Sequence, residues 1–479
     1  MELYKDLKSR QEVRDLVSRA VEAQEQLARM EQQELDRIVE AAAKAASAHK
    51  EELGRLAQEE TGFGKAEDKA EKNRFASEVL LEAIRPLKTV GILRKDPEKK
   101  LWDIGVPVGV IAGIVPSTNP TSTVIYKTLI ALKSGNAIVF SPHPGAKHCT
   151  LKAVQLLAEA AEAAGCPAGA VSCLTLPTME AVDELMKHSG VRLILATGGS
   201  AMVRAAYSSG TPAIGVGAGN GPAYLHPGCD LRQAVADILR SKTFDNGTIC
   251  ASEQSVIVEE ANEQEALAEF QRQGAVLLDE EQGQKLAKVL FRPNGGMNPK
   301  IVGKSAAQIA KLAGLGQQAE QAKVLLAREN GAGKDFPYSM EKLCPVLGWY
   351  RVKNQDEALQ LSCDILRHEG SGHTFVIHSM DPDVVQRFAL RVPVSRFLVN
   401  TPAALGGIGL TTGLFPALTL GCGAVGGSSS SNNIGPLDLI NIRRAAWGHK
   451  EPERAHTTVI QANEELVREL TQKILQKLS

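Results

Sequence analysis

The sequence predicts an α/β protein with two parallel-sheet domains and a separate β-hairpin. Three observations carry this. From Pro107 onward, short apolar runs alternate with helical stretches; the alternation resumes after Glu253; and two short apolar runs flank a proline-bearing polar turn at 96–100.

The elements follow in order. From Gln11 to about residue 76 the chain is rich in Ala, Glu, Gln, Lys, Arg and Leu. Leu16, Ala20, Ala23, Leu27 and then Ile38, Ala42, Ala45 recur at helical spacing, which predicts surface-covering helices. Their charges read as a solvated face. Runs 90–95 and 101–104 predict the hairpin, which is only marginally stable alone and so should pack elsewhere, for instance on another subunit.

Buried-strand runs follow at 108–114, 137–140, 171–176, 193–196 and 213–216. Helical stretches lie between them at 122–132, 147–163, 179–187 and 201–208. Such alternation means a parallel sheet covered on both faces, with ligands at the carboxyl ends of its strands. The loops there are Pro116-Ser117-Thr118-Asn119-Pro120, Ser141-Pro142-His143-Pro144-Gly145, Leu176-Pro177-Thr178 and Thr197-Gly198-Gly199-Ser200. Taken singly, each reads as a plain connection. No G-x-G-x-x-G pattern follows the first strand.

The second alternating region has strand runs at 255–258, 276–278, 324–327, 346–352, 374–378 and 397–400. Helices are expected at 263–272, 281–291, 306–312, 357–367 and 382–391. The Gly/Ser-rich run 421–431 reads equally as a linker or as a structured closing loop before a strand at 439–443. After a polar stretch at 449–458, Leu466, Leu470, Ile474 and Leu478, with Val467 and Leu475 beside them, mark an amphipathic helix at 464–478.

At 479 residues the chain exceeds one ordinary core, so two or three domains are expected. A 43% apolar content is that of a globular protein, and a net charge of −1 offers no basic excess for a general polyanion surface. Neither a membrane span nor a secretory segment is indicated. The eight cysteines lack CxxC pairs and Cys/His ligand spacing, so no metal site and no disulfide framework is expected. This composition points to a cytoplasmic protein with reduced thiols, binding neither nucleic acid nor membrane.

One cysteine is set apart. Thr243-Phe244-Asp245-Asn246-Gly247-Thr248-Ile249-Cys250-Ala251-Ser252-Glu253 places Cys250 on a loop just ahead of a strand. A thiol there can face a cleft and act as nucleophile if its pKa is lowered, although an isolated cysteine is more often a small core residue. Asn119 could donate its amide to a developing oxyanion alongside the Cys250 backbone N–H. Exposed N–H groups at Gly198-Gly199-Ser200 suit a phosphate or another polar cofactor group. Glu341 and His373 are further polar candidates, whose ordinary reading is a surface or hydrogen-bonded residue.

The order Pro116-Ser117-Thr118-Asn119-Pro120, Phe140-Ser141-Pro142-His143-Pro144, Thr197-Gly198-Gly199-Ser200, Gly217-Ala218-Gly219-Asn220-Gly221-Pro222, Cys250 and Glu341-Lys342-Leu343-Cys344-Pro345 resembles the coenzyme-A-acylating aldehyde dehydrogenases. The resemblance runs from the N-terminal helices to Gly448. It implies an aldehyde dehydrogenase-like fold of two Rossmann-like domains plus an oligomerisation hairpin. The NAD(P)-binding domain would comprise 1–89 and 106–225, the catalytic domain 226–425, and the oligomerisation strands 90–105 and 436–448. Residues 449–479 would be an extension.

The resemblance implies roles as well. Cys250 would attack an aldehyde to give a thiohemiacetal, with Asn119 and the Cys250 amide holding the oxyanion, and hydride loss would leave an acyl-cysteine. Glu341 would hold the nicotinamide ribose and His373 would assist acyl transfer to coenzyme A. Ser117, Thr118, Ser141, His143, Pro177, Thr197, Gly198, Gly199, Ser200, Gly217 and Pro345 would complete the site for NAD, or NADP.

Two departures from hydrolytic relatives matter. Where those enzymes carry a water-activating glutamate, alignment on Pro222 gives Val216, which cannot act as a base. Ser141 replaces a lysine that contacts the adenosine ribose, leaving NAD against NADP open. The expected reaction is therefore reversible oxidation of a short-chain aldehyde to acyl-CoA. The alternatives are a hydrolytic enzyme yielding free acid, which would turn over without coenzyme A, and a silent scaffold or cargo protein, which Cys250 with Asn119 argues against. A homodimer or homotetramer is expected. Segment 460–478 is a candidate anchor to a bacterial microcompartment shell, or equally a helix packed on its own subunit.

Overall fold

The computed structural model describes residues 4–292, 295–448 and 464–479. Helices Lys5–Leu27, Gln32–Ala48, Lys50–Thr61 and Ala66–Arg74 open the chain. In the first of these, Val13, Leu16, Val17, Ala20, Ala23 and Leu27 are buried, the spacing of a single helical stripe. Strands β1 (Gly91–Asp96) and β2 (Leu101–Pro107) form the expected hairpin, with Lys100 turning it at φ 49°.

Next come β3 (Val110–Ile114), β4 (Ala137–Ser141), β5 (Val171–Cys173), β6 (Val191–Thr197) and β7 (Ala213–Val216). They form a parallel sheet in the order β5-β4-β3-β6-β7. β3 and β4 are buried at every position, which is why they read as continuous apolar runs. The sheet reverses its winding at β3, and the carboxyl ends on either side of that point carry the loops named above.

The second sheet contains β8 (Gly221–Leu225), β9 (Glu253–Glu259), β10 (Ala275–Leu277), β11 (Val324–Arg328), β12 (Val346–Val352), β13 (Gly372–His378) and β14 (Val394–Val399). Its order is β10-β11-β12-β9-β8-β13-β14, again with parallel pairs. β8 corrects the expected boundary at 225. Pro222 pairs with Ser255 and Val376 with Ala223, so 221–225 belongs to the second sheet. Helix Leu231–Thr243, not singled out in the sequence, leads from β8 to the cysteine turn.

The Gly/Ser-rich run is a structured loop. Gly421 N–H donates to the Asn432 carbonyl at 2.9 Å and Gly423 N–H to that of Ser430 at 2.8 Å, while Cys422 is buried.

The chain divides into two compact units, Met1–Gly91 with Val106–Asn441, and Ile92–Gly105 with Ile442–Ser479. β15 (Ile440–Ala446) joins the hairpin in a three-stranded sheet ordered β1-β2-β15. Within the second unit, Trp102 and Trp447 meet edge to face at 5.0 Å, and Arg444 Nε donates to Asp103 Oδ1 at 3.1 Å. Helix Glu464–Leu478 is exposed along its whole length. Residues 449–463, including the polar stretch and the first part of the suggested shell anchor, lie outside the described residues. Among the described residues no helix is long and apolar enough to cross a membrane.

Candidate active site

The cysteine turn is built from conformations that L-residues rarely adopt. After helix Leu231–Thr243, Asp245 (φ 48°, ψ 36°), Asn246 (φ 52°, ψ 37°) and Gly247 (φ 75°) are left-handed in succession. The two non-glycine residues cost about 1–2 kcal/mol each in that region, and their side chains are held in return. Asp245 Oδ1 accepts the Lys65 N–H at 2.8 Å, and Oδ2 accepts from Lys69 Nζ at 3.0 Å, from Lys72 Nζ and from Thr248 Oγ1 at 2.6 Å. Asn246 Nδ2 donates to the Gly303 carbonyl at 2.8 Å. Gly247 is pressed on the Cys344 carbonyl oxygen, which a Cβ would meet at 3.1 Å.

This turn delivers Cys250, partly buried, to the amino edge of the second sheet just ahead of β9. The carboxyl edge of the first sheet brings Asn119 to the same place. Asn119 occupies the N-cap position of helix Pro120–Lys133 without using its side chain as a cap. Its Nδ2 donates to the Thr248 carbonyl at 3.2 Å, and its Oδ1 accepts from Lys72 Nζ at 2.6 Å.

Burial pushes the Cys250 thiol up to about 12, the nearby Glu341 carboxylate adds to the rise, and the Arg396 guanidinium works against it. Glu341 is itself pushed up to about 8, first by burial and then by Glu369, whose Oε2 accepts the Glu341 N–H at 2.7 Å. Glu341 Oε1 accepts the Gly219 N–H at 2.9 Å, which ties it to the segment after β7.

His373 is the second residue of β13, two strands from β9 across β8, or about 10 Å in sheet spacing. It is fully buried, Nδ1 lies 2.9 Å from Thr374 Oγ1, and Nε2 has no partner. Burial and Arg396 hold its pKa well below the usual value, so it is neutral.

Ser117 and Thr118 follow β3, Ser141 closes β4 with His143 after it, Pro177 lies beyond β5, Thr197 closes β6, and Gly217 follows β7. These residues therefore share one sheet edge. Gly199 is the N-cap of helix Ser200–Ser208, and Thr197 Oγ1 is buried without a partner. That edge offers polar groups suited to a dinucleotide, an unmatched hydroxyl and a helix amino end. A cavity of about 470 Å³ beside it is lined by Ser200, Arg204, Tyr207, Gly217, Gly370 and Cys422. A larger one, about 860 Å³, lies among Asp279, Glu280, Tyr338 and Trp349 and shares no residue with the site. Pro345 stands apart from this edge. It is buried, and its carbonyl accepts from Leu325 at 3.0 Å in the second sheet.

Sequence reasoning missed several groups. The solvated-face reading of the N-terminal charges fails at Lys69 and Lys72, which are buried with the neutral Asn73 on the inner side of helix Ala66–Arg74. Arg396 in β14 is buried, donates to the Gly421 carbonyl at 2.7 Å and leaves its Nε without a partner. Glu253 is buried three residues past Cys250, and burial pushes it up to about 7. Glu253 ends the cysteine stretch but carries no mark of burial there, and the lysines and Arg396 lie in no motif.

A turn that sets a partly buried cysteine against the carboxyl edge of a dinucleotide-type sheet is an arrangement suited to covalent, cofactor-dependent oxidoreductase chemistry. The comparisons agree. The profile described as aldehyde dehydrogenase family matches residues 5–410, and the chain belongs to that family. It is 58% identical to a probable aldehyde dehydrogenase from Listeria monocytogenes EGD-e, with TM-score 0.93 over 94% of this chain and 99% of that one. It is 49% identical to an acetylating aldehyde dehydrogenase from Geobacillus thermoglucosidasius, with TM-score 0.92 over 93% and 98%. The bifunctional aldehyde-alcohol dehydrogenase AdhE of Escherichia coli K12 is 43% identical over 91% of this chain. That match takes in 49% of AdhE, so the chain spans about half the length of this curated relative.

Proposed function

We propose that the chain oxidises a short-chain aldehyde, of acetaldehyde or propionaldehyde size, reversibly to its acyl-CoA with NAD(P)+ and coenzyme A. Cys250 Sγ loses its proton to solvent and attacks the carbonyl carbon, and as the C–S bond forms the C=O π pair moves onto oxygen. The resulting oxyanion is met by Asn119 Nδ2–H and by the Cys250 backbone N–H. The cofactor, when bound, supplies the hydride acceptor that converts the thiohemiacetal to an acyl-cysteine. Ser117, Thr118, Ser141, His143, Pro177, Thr197–Ser200, Gly217 and Glu341 are the residues assigned to hold it, whether NAD or NADP. Coenzyme A then attacks the thioester carbonyl; neutral His373, whose Nε2 has no partner, is the group assigned to take the thiol proton and return it to Cys250, which leaves as the thiol.

Val216 is the observation that carries acyl transfer over hydrolysis. It closes β7 at 3% exposure and shares an apolar cluster with Ile249 and Ala251. No carboxylate stands at that position to activate water, whereas a thiol has a usable thiolate fraction near neutral pH. The Geobacillus relative is an acetylating enzyme, which supports the same reading.

The test is NADH formation from acetaldehyde with and without coenzyme A. Sustained turnover only with coenzyme A is expected, and equal rates without it, yielding acetate, would sink the proposal. Cys250→Ala should abolish turnover and leave the fold intact.

We also propose that the β1-β2-β15 sheet mediates a homo-oligomer, a dimer or tetramer, and that helix Glu464–Leu478 docks on a microcompartment shell. The helix exposes Leu466, Leu470, Ile474 and Leu478 at 53–80%, an apolar face suited to a partner's groove. Deleting 451–479 should leave activity unchanged and abolish co-purification with shells; loss of catalysis on deletion would refute docking as its role.

A further inference from the structure

We infer that Lys72, from the N-terminal helix Ala66–Arg74, is a positioning residue that fixes Asn119 with its N–H₂ group turned to the Thr248 side, the turn that leads to Cys250. The inference rests on the reading of Asn119 as the oxyanion donor and assigns what holds it.

The geometry is complete on both sides. A lysine ammonium has three donors and no acceptor. All three are engaged: with Asp245 Oδ2, with Thr248 Oγ1 at 3.0 Å and with Asn119 Oδ1 at 2.6 Å. Only an oxygen can face such a group, so the atom of Asn119 that meets Lys72 is Oδ1. On its other side Nδ2 donates to the Thr248 carbonyl at 3.2 Å, which only the nitrogen can do, and lies 3.3 Å from Thr118 Oγ1, the weaker contact that an oxyanion would displace. Flipping the amide would set N–H against ammonium and oxygen against carbonyl, two repulsive contacts in place of two bonds. Lys72 is 2% exposed, so water cannot take over its role.

The same ammonium binds the nucleophile turn through Asp245 and Thr248. Donor and nucleophile are therefore set by one charge. Lys69 reinforces the arrangement, donating to Asp245 at 3.0 Å and to the Thr118 carbonyl at 2.9 Å, immediately before Asn119. Two buried cations around one carboxylate would be an unfavourable choice for stability alone, since replacing buried charges by apolar groups is often neutral or better. The cluster is better explained by the orientation it enforces.

The test is a double-mutant cycle on steady-state acetaldehyde oxidation with NAD+ and coenzyme A. Removing one oxyanion donor costs about 100- to 1,000-fold in kcat, and Asn119→Ala should fall in that range. Lys72→Met releases the amide without deleting it, so kcat should fall by about 10-fold or more with the aldehyde KM within about twofold of wild type. In the Asn119→Ala background the same change should cost less than about twofold. Lys72→Gln keeps an uncharged N–H, so it should lose about 3- to 10-fold with Asn119 present and nothing without it; this variant carries the cycle if Lys72→Met does not fold.

Losses that multiply independently in both backgrounds, or Gln and Met variants that fall equally, overturn the proposal. Asn119→Ala within about threefold of wild type would instead overturn the oxyanion reading beneath it.

Discussion

Gly219 lies directly against Cys250: a Cβ on Gly219 would stand 1.8 Å from the Cys250 carbonyl oxygen. The same glycine gives its N–H to Glu341. Its φ is not in the left-handed region, so close approach, and not backbone freedom, is what requires glycine here. The segment after β7 thus braces the thiol loop and Glu341 together.

Gly219→Ala should force the two backbones apart. Overpacking of this kind costs about 1–3 kcal/mol, read as a lower melting temperature. A 1 Å displacement of the nucleophile should lower kcat by roughly 100-fold. Wild-type kcat in a folded Gly219→Ala variant would show that the thiol loop tolerates the shift.

The couple between Glu341 and Cys250 has a definite pH signature. Glu341, raised to about 8, is protonated below that pH and charged above it, so its repulsion of the thiolate operates only on the alkaline side. Iodoacetamide labelling of Cys250 in cofactor-free protein should climb with pH with no plateau below pH 9. Glu341→Gln should accelerate labelling by about 3- to 10-fold at pH 9 and leave it within about twofold at pH 6.5. An equal effect at both pH values would contradict the assignment.

Lys127 gives a stability prediction. It is fully buried, donates to the Ile114 and Leu195 carbonyls at 2.8 Å each, and burial lowers it to about 7. The sign follows from proton uptake. Between about pH 7 and the unfolded lysine value near 10.4, the unfolded chain binds a proton that the folded chain does not, so this residue's contribution to stability rises with pH. The stability of wild type minus that of Lys127→Met, from urea unfolding, should therefore favour wild type more at pH 9 than at pH 6. A pH-independent difference would show Lys127 to be charged throughout.

Much of this arrangement is legible in the sequence, for physical reasons that differ by element. β3, β4 and β12 are buried almost throughout, so their apolar runs declare them. β8 begins Gly221-Pro222, punctuation that normally ends a strand, and only its pairing with β9 and β13 shows otherwise. The roles assigned to Cys250 and Asn119 rest on the order of motifs, since neither spacing nor periodicity distinguishes a nucleophile from a core cysteine. Lys72 was read as solvated because an isolated lysine on a polar helix usually is. Its partner Asp245 lies 173 positions away, and nothing local announces the pair.

Val216 bears on the choice between coenzyme A and water. Val216→Glu would place a carboxyl at the end of β7, in an apolar cluster that should raise its pKa toward neutrality, as suits a general base. The variant should lose about 1–3 kcal/mol of stability from burying the polar group. In exchange it should form NADH from acetaldehyde without coenzyme A and release acetate, while the coenzyme-A-dependent fraction of turnover falls. Wild type, with valine in place, should do neither. A folded Val216→Glu enzyme that still requires coenzyme A would mean that water is excluded by the shape of the site, and that the missing carboxylate is not what protects the acyl-cysteine.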